Sequence, residues 1–336
     1  MPANLTPQYH KAEEIYKQAK TAEERISALE EMLRLMPKHK GTDHLQADLK
    51  RRIARLRDED SKPKGRKTFD PFRIEKGGAG QVVLLGAPNA GKSAVVAKTT
   101  SAPTQPTAFP FATQGPIPGM AAFEDTQVQL IDLPPITADY FPTGMAGLIK
   151  AADGALLLAD LGSDSVLDDL EAILAALKES RIKLFDPGVE VHGPTGEEEE
   201  MLVTRLPTIL LASKCDLPGA RVRFELLKDL LQGRFDPMRL SAETGEGLDA
   251  LPGQVFRLLD RIRVYAKEPG KQPDMRSPFV LKQGQTIVDL AAKIHRDFPD
   301  HMRQARVWGS ARFEGQAVER TYVLRDKDIV ELQVDL

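Results

Sequence analysis

The eight residues that directly follow the apolar run VVLL have the types and spacing needed to hold a chain of phosphates. Glycines let the backbone curl so that its N–H groups, and the N-terminus of a following helix, face the phosphates. We expect Lys92 to reach the outer phosphates and Ser93 to offer its hydroxyl to Mg²⁺. A chance glycine-rich turn is the alternative, which the order of strand, motif and helix disfavours. The motif, in the pattern G-x-x-x-x-G-K-S, and the next residue of the binding set are Gly86, Ala87, Pro88, Asn89, Ala90, Gly91, Lys92, Ser93 and Ala94.

A second motif indicates which base the phosphates carry. At the end of the apolar run TILLA, Ser213-Lys214-Cys215-Asp216 is similar to the N-K-x-D guanine loop of P-loop GTPases. The Asp216 carboxylate can accept hydrogen bonds from the N1–H and 2-amino groups of guanine, an arrangement that adenine cannot match. The stem of Lys214 can lie over the base. Ser213 stands where an Asn usually ties this loop to the phosphate loop, and a hydroxyl makes fewer bonds, so weaker nucleotide affinity is expected.

A third segment supports guanine as the base. Ser241-Ala242-Glu243 is similar to the S-A-K loop of GTPases, whose backbone N–H meets the guanine carbonyl. The phosphate loop alone leaves an ATP-dependent kinase or ATPase open as the alternative. The three motifs in this order favour a guanine-nucleotide-binding protein.

Two further residues are expected beside a Mg²⁺ ion at the phosphates. Asp132 ends the run QLID in the Walker-B position, where a carboxylate holds Mg²⁺ through water. Thr113, in the segment PFAT, is expected to bind the ion when a γ-phosphate is present, and Thr107 is a poorer candidate. The predicted metal ligands are therefore Ser93, Thr113 and Asp132.

The residues that follow Asp132 predict slow hydrolysis. Pro135 stands where GTPases usually have a Gly whose N–H contacts the γ-phosphate, and proline has no N–H. Ile136 is apolar where Ras-like enzymes have a water-orienting Gln. Asn89 can compensate by holding a K⁺ ion, so Lys92, Asn89 and Thr113 are the predicted catalytic residues. The alternatives are that Asn89 only stabilises the turn, and that the protein is a guanine-nucleotide-binding scaffold without hydrolysis.

The motifs lie in a pattern of alternating strands and helices. Apolar runs alternate with helical segments such as Ser165 to Glu179, which is typical of a parallel sheet with crossover helices. The runs are QVVLLG, QLIDLP, GALLLADL and TILLAS. The tract 186–204, with its acidic run, is predicted to be an exposed insertion.

Smaller modules flank this α/β domain. Residues 7–57 predict helices, with a capping box at Thr21 and Glu24 and an amphipathic helix that carries basic residues from Lys50 to Arg57. Residues 58–67 are predicted to be a linker. FVL, a helix over Ile287 to Asp297, ARVWG, TYVL and IVELQV predict a small mixed sheet. The expected domains are 1–67, 68–270 and 271–336.

Composition narrows the class of protein. A 41% hydrophobic and 28% charged composition is that of a folded protein, and a net charge of −3 means that nucleic-acid binding would need a local basic patch. One cysteine excludes an internal disulfide framework. The polar start, Met1 to His10, and the lack of an apolar run of about 20 residues predict a cytoplasmic chain with no membrane segment.

The ordered motifs resemble those of Obg-type GTPases, and most closely those of the developmentally regulated GTP-binding (DRG) proteins. The motifs are GAPNAGKS, PFAT followed by IPGM, DLPP, SKCD and SAETGEG. HKGTDHLQADLKRRIARL is similar to the N-terminal helical region of that family, and KQPDMRSPFVL, IHRDF, ARVWGS and VLRDKDIVEL to its C-terminal TGS domain, a small β-grasp fold. Pro135 and Ser213 depart from the family pattern, and the family's extra domain inserted in the GTPase core is not evident.

The resemblance implies a function and partners. It implies binding of GTP and GDP with Mg²⁺, potassium-assisted hydrolysis, and a role as a switch associated with ribosomes or translation. The expected partner is the ribosome or rRNA, through the basic N-terminal helix and the TGS domain. The alternative for the basic residues of that helix is a solvated face with no ligand. A regulatory protein is a further expected partner, and neither DNA nor a membrane is expected.

Overall fold

The computed structural model describes residues 7–18, 22–36, 46–54, 71–100, 115–189 and 202–335. The chain divides into two compact units, Met1–Asp70 and Pro71–Leu336. No helix in the described ranges has the length and apolar character needed to cross a membrane. Thr21, the predicted linker 58–67 and the acidic run of the insertion lie outside the described residues.

The first unit is helical, as its periodic apolar residues predict. Its described helices are α1 (Pro7–Gln18), α2 (Ala22–Leu35) and α3 (46–54). Leu29, Met32 and Met36 recur every three or four residues and pack with Leu49 and Ile53 of α3. Since these apolar residues of α3 face inward, Lys50, Arg51 and Arg52 are left exposed. The predicted amphipathic, basic helix is therefore present over residues 46–54.

Seven of the described strands of the second unit form one sheet. Its order is β2-β3-β1-β4-β6-β5, with β7 beside β6, and β2 is the antiparallel member. The strands and their helices are β1 (Gln81–Gly86), α4 (Lys92–Thr99), β2 (Ile117–Phe123), β3 (Thr126–Asp132), α5 (Met145–Ala151), β4 (Gly154–Asp160), α6 (Val166–Glu179), β5 (Ile182–Phe185), β6 (Thr204–Ser213), α7 (Ala220–Leu231), β7 (Met238–Arg239) and α8 (Leu251–Leu258). The predicted mainly parallel sheet is confirmed.

Both faces of this sheet are covered by helices, because successive side chains of a strand point to opposite sides. Val83 and Leu85 of β1 pack with α5, α6 and α7 on one face. Val82 and Leu84 pack with α4 and α8 on the other. All four side chains are fully buried, which holds the end of β1 rigidly in the centre of the domain.

A second sheet of five strands follows, in the order β11-β10-β12-β8-β9. Its elements are β8 (Arg261–Lys267), β9 (Phe279–Lys282), α9 (Ile287–Ile294), α10 (Phe298–His301), β10 (Met302–Trp308), β11 (Gln316–Val318) and β12 (Asp328–Val334). Leu290 and Ala291 of α9 pack on the sheet with Val307 and Val330. The predicted small mixed sheet with a helix across it is present.

The boundary between the two sheets differs from the predicted one at 270/271. Strand β8 pairs in parallel with β12 and antiparallel with β9, so the second sheet begins at Arg261. The pairing with β12 cannot be read from local patterns, because that strand lies more than sixty residues away along the chain.

The predicted strand TYVL is also wrong. Within it, Val323 forms a single bridge to Thr286. The Tyr322 carbonyl accepts a bond from Ile287 N–H, and Leu324 N–H donates to Gln285 O. The segment is therefore bonded to the start of α9 instead of to a strand.

Candidate nucleotide-binding site

The predicted binding motifs meet at one edge of the first sheet. β1 lies between β3 and β4, which places it at the point where the order of strands reverses. In open α/β sheets, ligands bind outside the carboxyl ends of the strands at such a point. The segments that follow β1, β3, β4, β6 and β7 all begin at this edge, and they include each of the three predicted loops.

The phosphate loop has a backbone that its sequence explains. Gly91 has φ of +92°, in the left-handed region that residues with a Cβ rarely adopt, and it directly precedes α4. A Cβ at Gly86 would lie 3.2 Å from Leu158 O and 3.3 Å from the Ala90 Cβ, so glycine allows the close approach of β4. Asn89 has φ of 60°, a conformation that Asn tolerates better than most residues. Asn89 is therefore part of the turn, and its side chain is exposed.

Lys92 lies inside the loop. Its Nζ donates to the carbonyls of Gly86 and Ala87, both at 2.9 Å, and the residue is 7% exposed. Burial lowers the pKa of the Lys92 ammonium, and the nearby Asp132 carboxylate opposes that shift. The cation is thus held by loop carbonyls, next to the N-terminus of α4, where phosphate oxygens would provide the compensating negative charge.

Ser93 and Asp132 lie together, as expected of two Mg²⁺ ligands. The Ser93 hydroxyl donates to Asp132 Oδ2 in a short hydrogen bond. The buried Asp132 Oδ1 has no hydrogen-bond partner among the described residues. Burial raises the pKa of Asp132, opposed by the bond from Ser93 and the charge of Lys92. An orphaned, desolvated carboxylate oxygen beside a hydroxyl fits a hard divalent cation such as Mg²⁺.

The base loop is joined to the phosphate loop by Ser213. Its hydroxyl lies 2.8 Å from Ala90 O, 123 residues away in sequence, and 3.1 Å from Ala159 O. The residue is 2% exposed, so its single proton is shared between these two buried carbonyls. Ser213 therefore connects the two loops, although the sequence predicted a weaker connection than an Asn would make.

The other residues of the base loop are Lys214, Cys215 and Asp216, of which Cys215 alone is buried. Lys214 has φ of 56°, which turns the chain at the end of β6. Asp216 is exposed, with its carboxylate available to a ligand. Cys215 is buried between them, and burial, followed by the neighbouring Glu246, raises the pKa of its thiol. Cys215 is therefore a neutral packing residue at neutral pH.

The third loop is held by its serine. Ser241 is fully buried, and its hydroxyl accepts bonds from the N–H groups of Glu243 and Thr244 at 3.2 and 3.1 Å. Ala242 is half-buried and Glu243 exposed. The loop begins next to the base loop, since Cys215 N–H donates to Leu240 O at 3.2 Å.

The segment after Asp132 has few free N–H groups. Pro134 and Pro135 have none, and Ile136 N–H donates to Gly86 O at 3.2 Å. The Ile136 side chain is 1% exposed and packs in the core of the domain. It therefore cannot orient water. Thr113 and Thr107 lie outside the described residues.

One carboxylate at this edge was missed by sequence reasoning. Asp160 ends β4, and its Oδ2 lies 2.6 Å from Lys214 Nζ. Its position after the apolar run GALLLA, at the same sheet edge as Asp132, was the available signal.

Two family models match parts of this chain. A family model described as 50S ribosome-binding GTPase matches residues 81–186, and a TGS domain model matches residues 262–333. Developmentally-regulated G-protein 2 of Arabidopsis thaliana is 27% identical over 92% of this chain and 90% of its own length. An uncharacterised GTP-binding protein of Methanocaldococcus jannaschii is 25% identical over 93% of both chains.

Solved structures show the same fold. A GTP binding protein from Pyrococcus horikoshii superposes with a TM-score of 0.50 at 16% identity, over 76% of this chain and all of its own. The YchF GTPase of Schizosaccharomyces pombe gives a TM-score of 0.50 at 13% identity, over 78% of this chain and all of its own.

Proposed function

We infer that this chain, a GTP-binding protein of the DRG family with a GTPase domain and a C-terminal TGS domain, hydrolyses GTP slowly as a switch associated with the ribosome. The premise of this proposal is the family and its two domains, which the two matching domain models and the relatives support. The slow rate, the help of K⁺ and the ribosomal role are the proposal.

One observation carries the nucleotide site. The Ser213 hydroxyl, 2.8 Å from Ala90 O, joins the loop that would read guanine to the loop that would hold the phosphates. A single nucleotide can therefore contact both Lys92 and Asp216. Asp216 is assigned to the purine edge, with Lys214 over the base and the N–H groups of the 241–243 loop at the guanine carbonyl.

The residues at the phosphates have distinct roles in hydrolysis. Lys92 would exchange its bonds to loop carbonyls for bonds to phosphate oxygens, together with N–H groups of residues 87–94. Ser93 and Asp132 would hold Mg²⁺, which when bound neutralises charge on the phosphates. Thr113 is assigned to the same ion in the GTP state. Hydrolysis would then release Thr113 and the segment after Asp132, which is the switch.

Slow turnover is proposed from the segment after Asp132. Residues 134–136 offer no free N–H to a γ-phosphate in this conformation, since two are prolines and Ile136 N–H is bonded to Gly86 O. Removing one donor to the developing charge typically lowers kcat by about 100-fold or more. Asn89, exposed on the phosphate loop, is proposed to hold K⁺ as a substitute positive charge.

Two surfaces are proposed to meet the ribosome or rRNA in the cytoplasm. Lys50, Arg51 and Arg52 are exposed on one helix, where each phosphate contact would add a salt-dependent increment of affinity. The TGS domain is the second surface. The description of the matching GTPase family as ribosome-binding supports this partner, and a regulatory protein is a further candidate.

A second function, a guanine-nucleotide-binding scaffold without hydrolysis, is favoured by the same prolines. Pro135 cannot form the contact by which GTPases sense a γ-phosphate, and the buried Ile136 cannot position water. Such a scaffold would bind GTP and GDP with similar affinity, because nothing in residues 134–136 would distinguish them.

Phosphate release from GTP, measured in KCl and in NaCl with Mg²⁺, separates these functions. We expect slow turnover that is faster in K⁺, with the difference lost in Asn89→Ala, and a further increase when ribosomes are added. Pro135→Gly, which restores an N–H, is expected to raise kcat about tenfold or more. Equal rates in both salts would remove the role of Asn89. No turnover with ribosomes, alongside intact GTP binding, would select the scaffold.

A further inference from the structure

The Asp160 carboxylate lies beside the base loop but outside the phosphate, metal and base-reading residues. Asp160 and Ser213 are neighbours in the parallel register of β4 and β6. Asp160 Oδ2 accepts a bond from Lys214 Nζ at 2.6 Å, and the two side chains are 10% and 35% exposed. Asp160 Oδ1 accepts a bond from Gly162 N–H at 2.8 Å. Both oxygens of this largely buried carboxylate are therefore committed, one to Lys214 and one to its own turn.

The space around Lys214 restrains its stem as well. A Cβ at Gly162 would lie 3.3 Å from Lys214 Cδ and 2.7 Å from Leu217 Cδ1. The lysine stem therefore lies directly against the bare backbone of residue 162. The stem and the ammonium of Lys214 are thus held by different contacts, and its φ of 56° turns the backbone at the end of β6.

We propose that Asp160 is a positioning residue for guanine nucleotides, which fixes the stem of Lys214 in place before the base arrives. This inference rests on the proposed role of Lys214 over the base. A lysine side chain that is mobile in the free protein loses rotamer freedom on binding, which lowers affinity, whereas a stem already held does not. Because Asp160 acts at the base, it strengthens GDP and GTP binding alike and leaves the chemical step unchanged.

Binding of a fluorescent GDP analogue, and kcat at saturating GTP, test this with two substitutions. Asp160→Asn removes the charge and keeps an acceptor for Gly162 N–H. Lys214→Met keeps a stem and removes the ammonium. Each substitution is expected to weaken GDP binding by about tenfold. The double variant is expected to bind GDP no more weakly than either single variant, and kcat of Asp160→Asn is expected to match that of wild type. The matched control is Asp164→Asn, in the same connection between β4 and α6. The exposed Asp164 pairs with Arg223 at 2.9 Å, and this variant is expected to bind GDP as wild type does.

Each contrary result has one meaning. One such result is that Asp160→Asn weakens GDP binding equally when Lys214→Met is already present, and also lowers the unfolding temperature. That result would show that Asp160 only stabilises its own turn, and it would overturn the proposal. Wild-type binding by Asp160→Asn, with Lys214→Met weakened, would overturn the proposal and leave the base loop intact. A wild-type chain that binds no GDP, or a Lys214→Met variant that binds as tightly as wild type, would refute the base-loop assignment and the inference with it.

A second variant covers a failure to fold. If Asp160→Asn does not fold, Asp160→Glu keeps the charge and moves it by one methylene. Weaker GDP binding than wild type is then expected, and equal binding would overturn the proposal.

Discussion

Replacing Arg263 by alanine tests how the two sheets of residues 71–335 are joined. The Arg263 side chain is 3% exposed and donates to three carboxylates. Its Nε and Nη2 bond the two oxygens of Asp326, on the second sheet's side, at 3.1 and 2.7 Å. Its Nη1 bonds Glu124 at 2.7 Å and Asp125 at 2.8 Å, in the turn between β2 and β3. One buried cation therefore links the TGS domain to the GTPase domain.

The magnitude of the effect follows from what the substitution leaves behind. Removing one partner of a buried ion pair typically costs about 3–5 kcal/mol, because uncompensated charge remains. Here Glu124 and Asp326 are 48% and 37% exposed and can be rehydrated, whereas Asp125 is 20% exposed. The guanidinium also lies 5.4 and 5.1 Å from the ring centroids of Phe123 and Phe256, contacts worth roughly 0.5–1 kcal/mol each. We expect a loss of about 3 kcal/mol of unfolding free energy.

Equilibrium unfolding in urea measures this loss. Trp308, the only tryptophan in the sequence, lies in β10 and reports the unfolding of the second sheet by fluorescence. Arg263→Lys keeps the charge but not the planar fork, so an intermediate loss is expected. Arg306→Ala, an exposed arginine on the same strand as Trp308, is the control and should change stability by about 0.5 kcal/mol or less.

A small effect would refute the reasoning. If Arg263→Ala lowered the unfolding free energy by under about 1 kcal/mol, the pairing would be worth no more than a surface ion pair. The same conclusion would follow if Arg263→Ala and Arg306→Ala were equally stable. Should the two domains unfold in separate steps, the comparison applies to the step that Trp308 reports.

Three further predictions concern the base loop and pH. Asp216→Asn should shift nucleotide preference from guanosine towards xanthosine nucleotides, whose 2-oxo group would meet an amide donor; competition binding measures this, and unchanged guanine preference would refute the assignment. Ser213→Ala removes a buried hydroxyl from two carbonyls and should weaken GDP binding roughly fivefold, from about 1 kcal/mol for one hydrogen bond, in a direct binding titration; wild-type affinity would show that the loops are joined by other contacts. Burial alone would raise the pKa values of Asp125 and Asp326, but the bonds from Arg263, with one from Tyr265 to Asp125, outweigh it and hold both pKa values below their ordinary range. Carboxylates whose pKa is lowered in the folded protein stabilise it above their ordinary pKa, and this stabilisation is lost as the pH falls through the folded pKa. The urea concentration at the unfolding midpoint should therefore decrease as the pH is lowered past about 4, and it should decrease less steeply with pH in Arg263→Ala. The same pH dependence of the midpoint in both proteins would contradict the assignment.

Much of the GTPase domain could be predicted from the sequence, because its signals are local. The glycines of residues 86–91 set the turn, and the alternating apolar residues of β1 set its two buried faces. The resemblance across the motifs also indicated the TGS domain, which the matching domain model supports. Helix α9 begins at Ile287 as predicted, because Thr286 and Asp289 form a capping box at its start.

Tertiary structure decided which distant groups meet. Strand β8 could have continued the first domain by its local pattern, and its pairing with β12 assigned it to the second sheet. Asp160 and Lys214 are 54 residues apart, and Arg263 lies 139 residues from Glu124, so no spacing along the chain relates them. Helix and strand periodicities depend on neighbours within a few residues. The contacts that hold the base loop and join the domains depend instead on which strands pair, and that follows from packing of the whole chain.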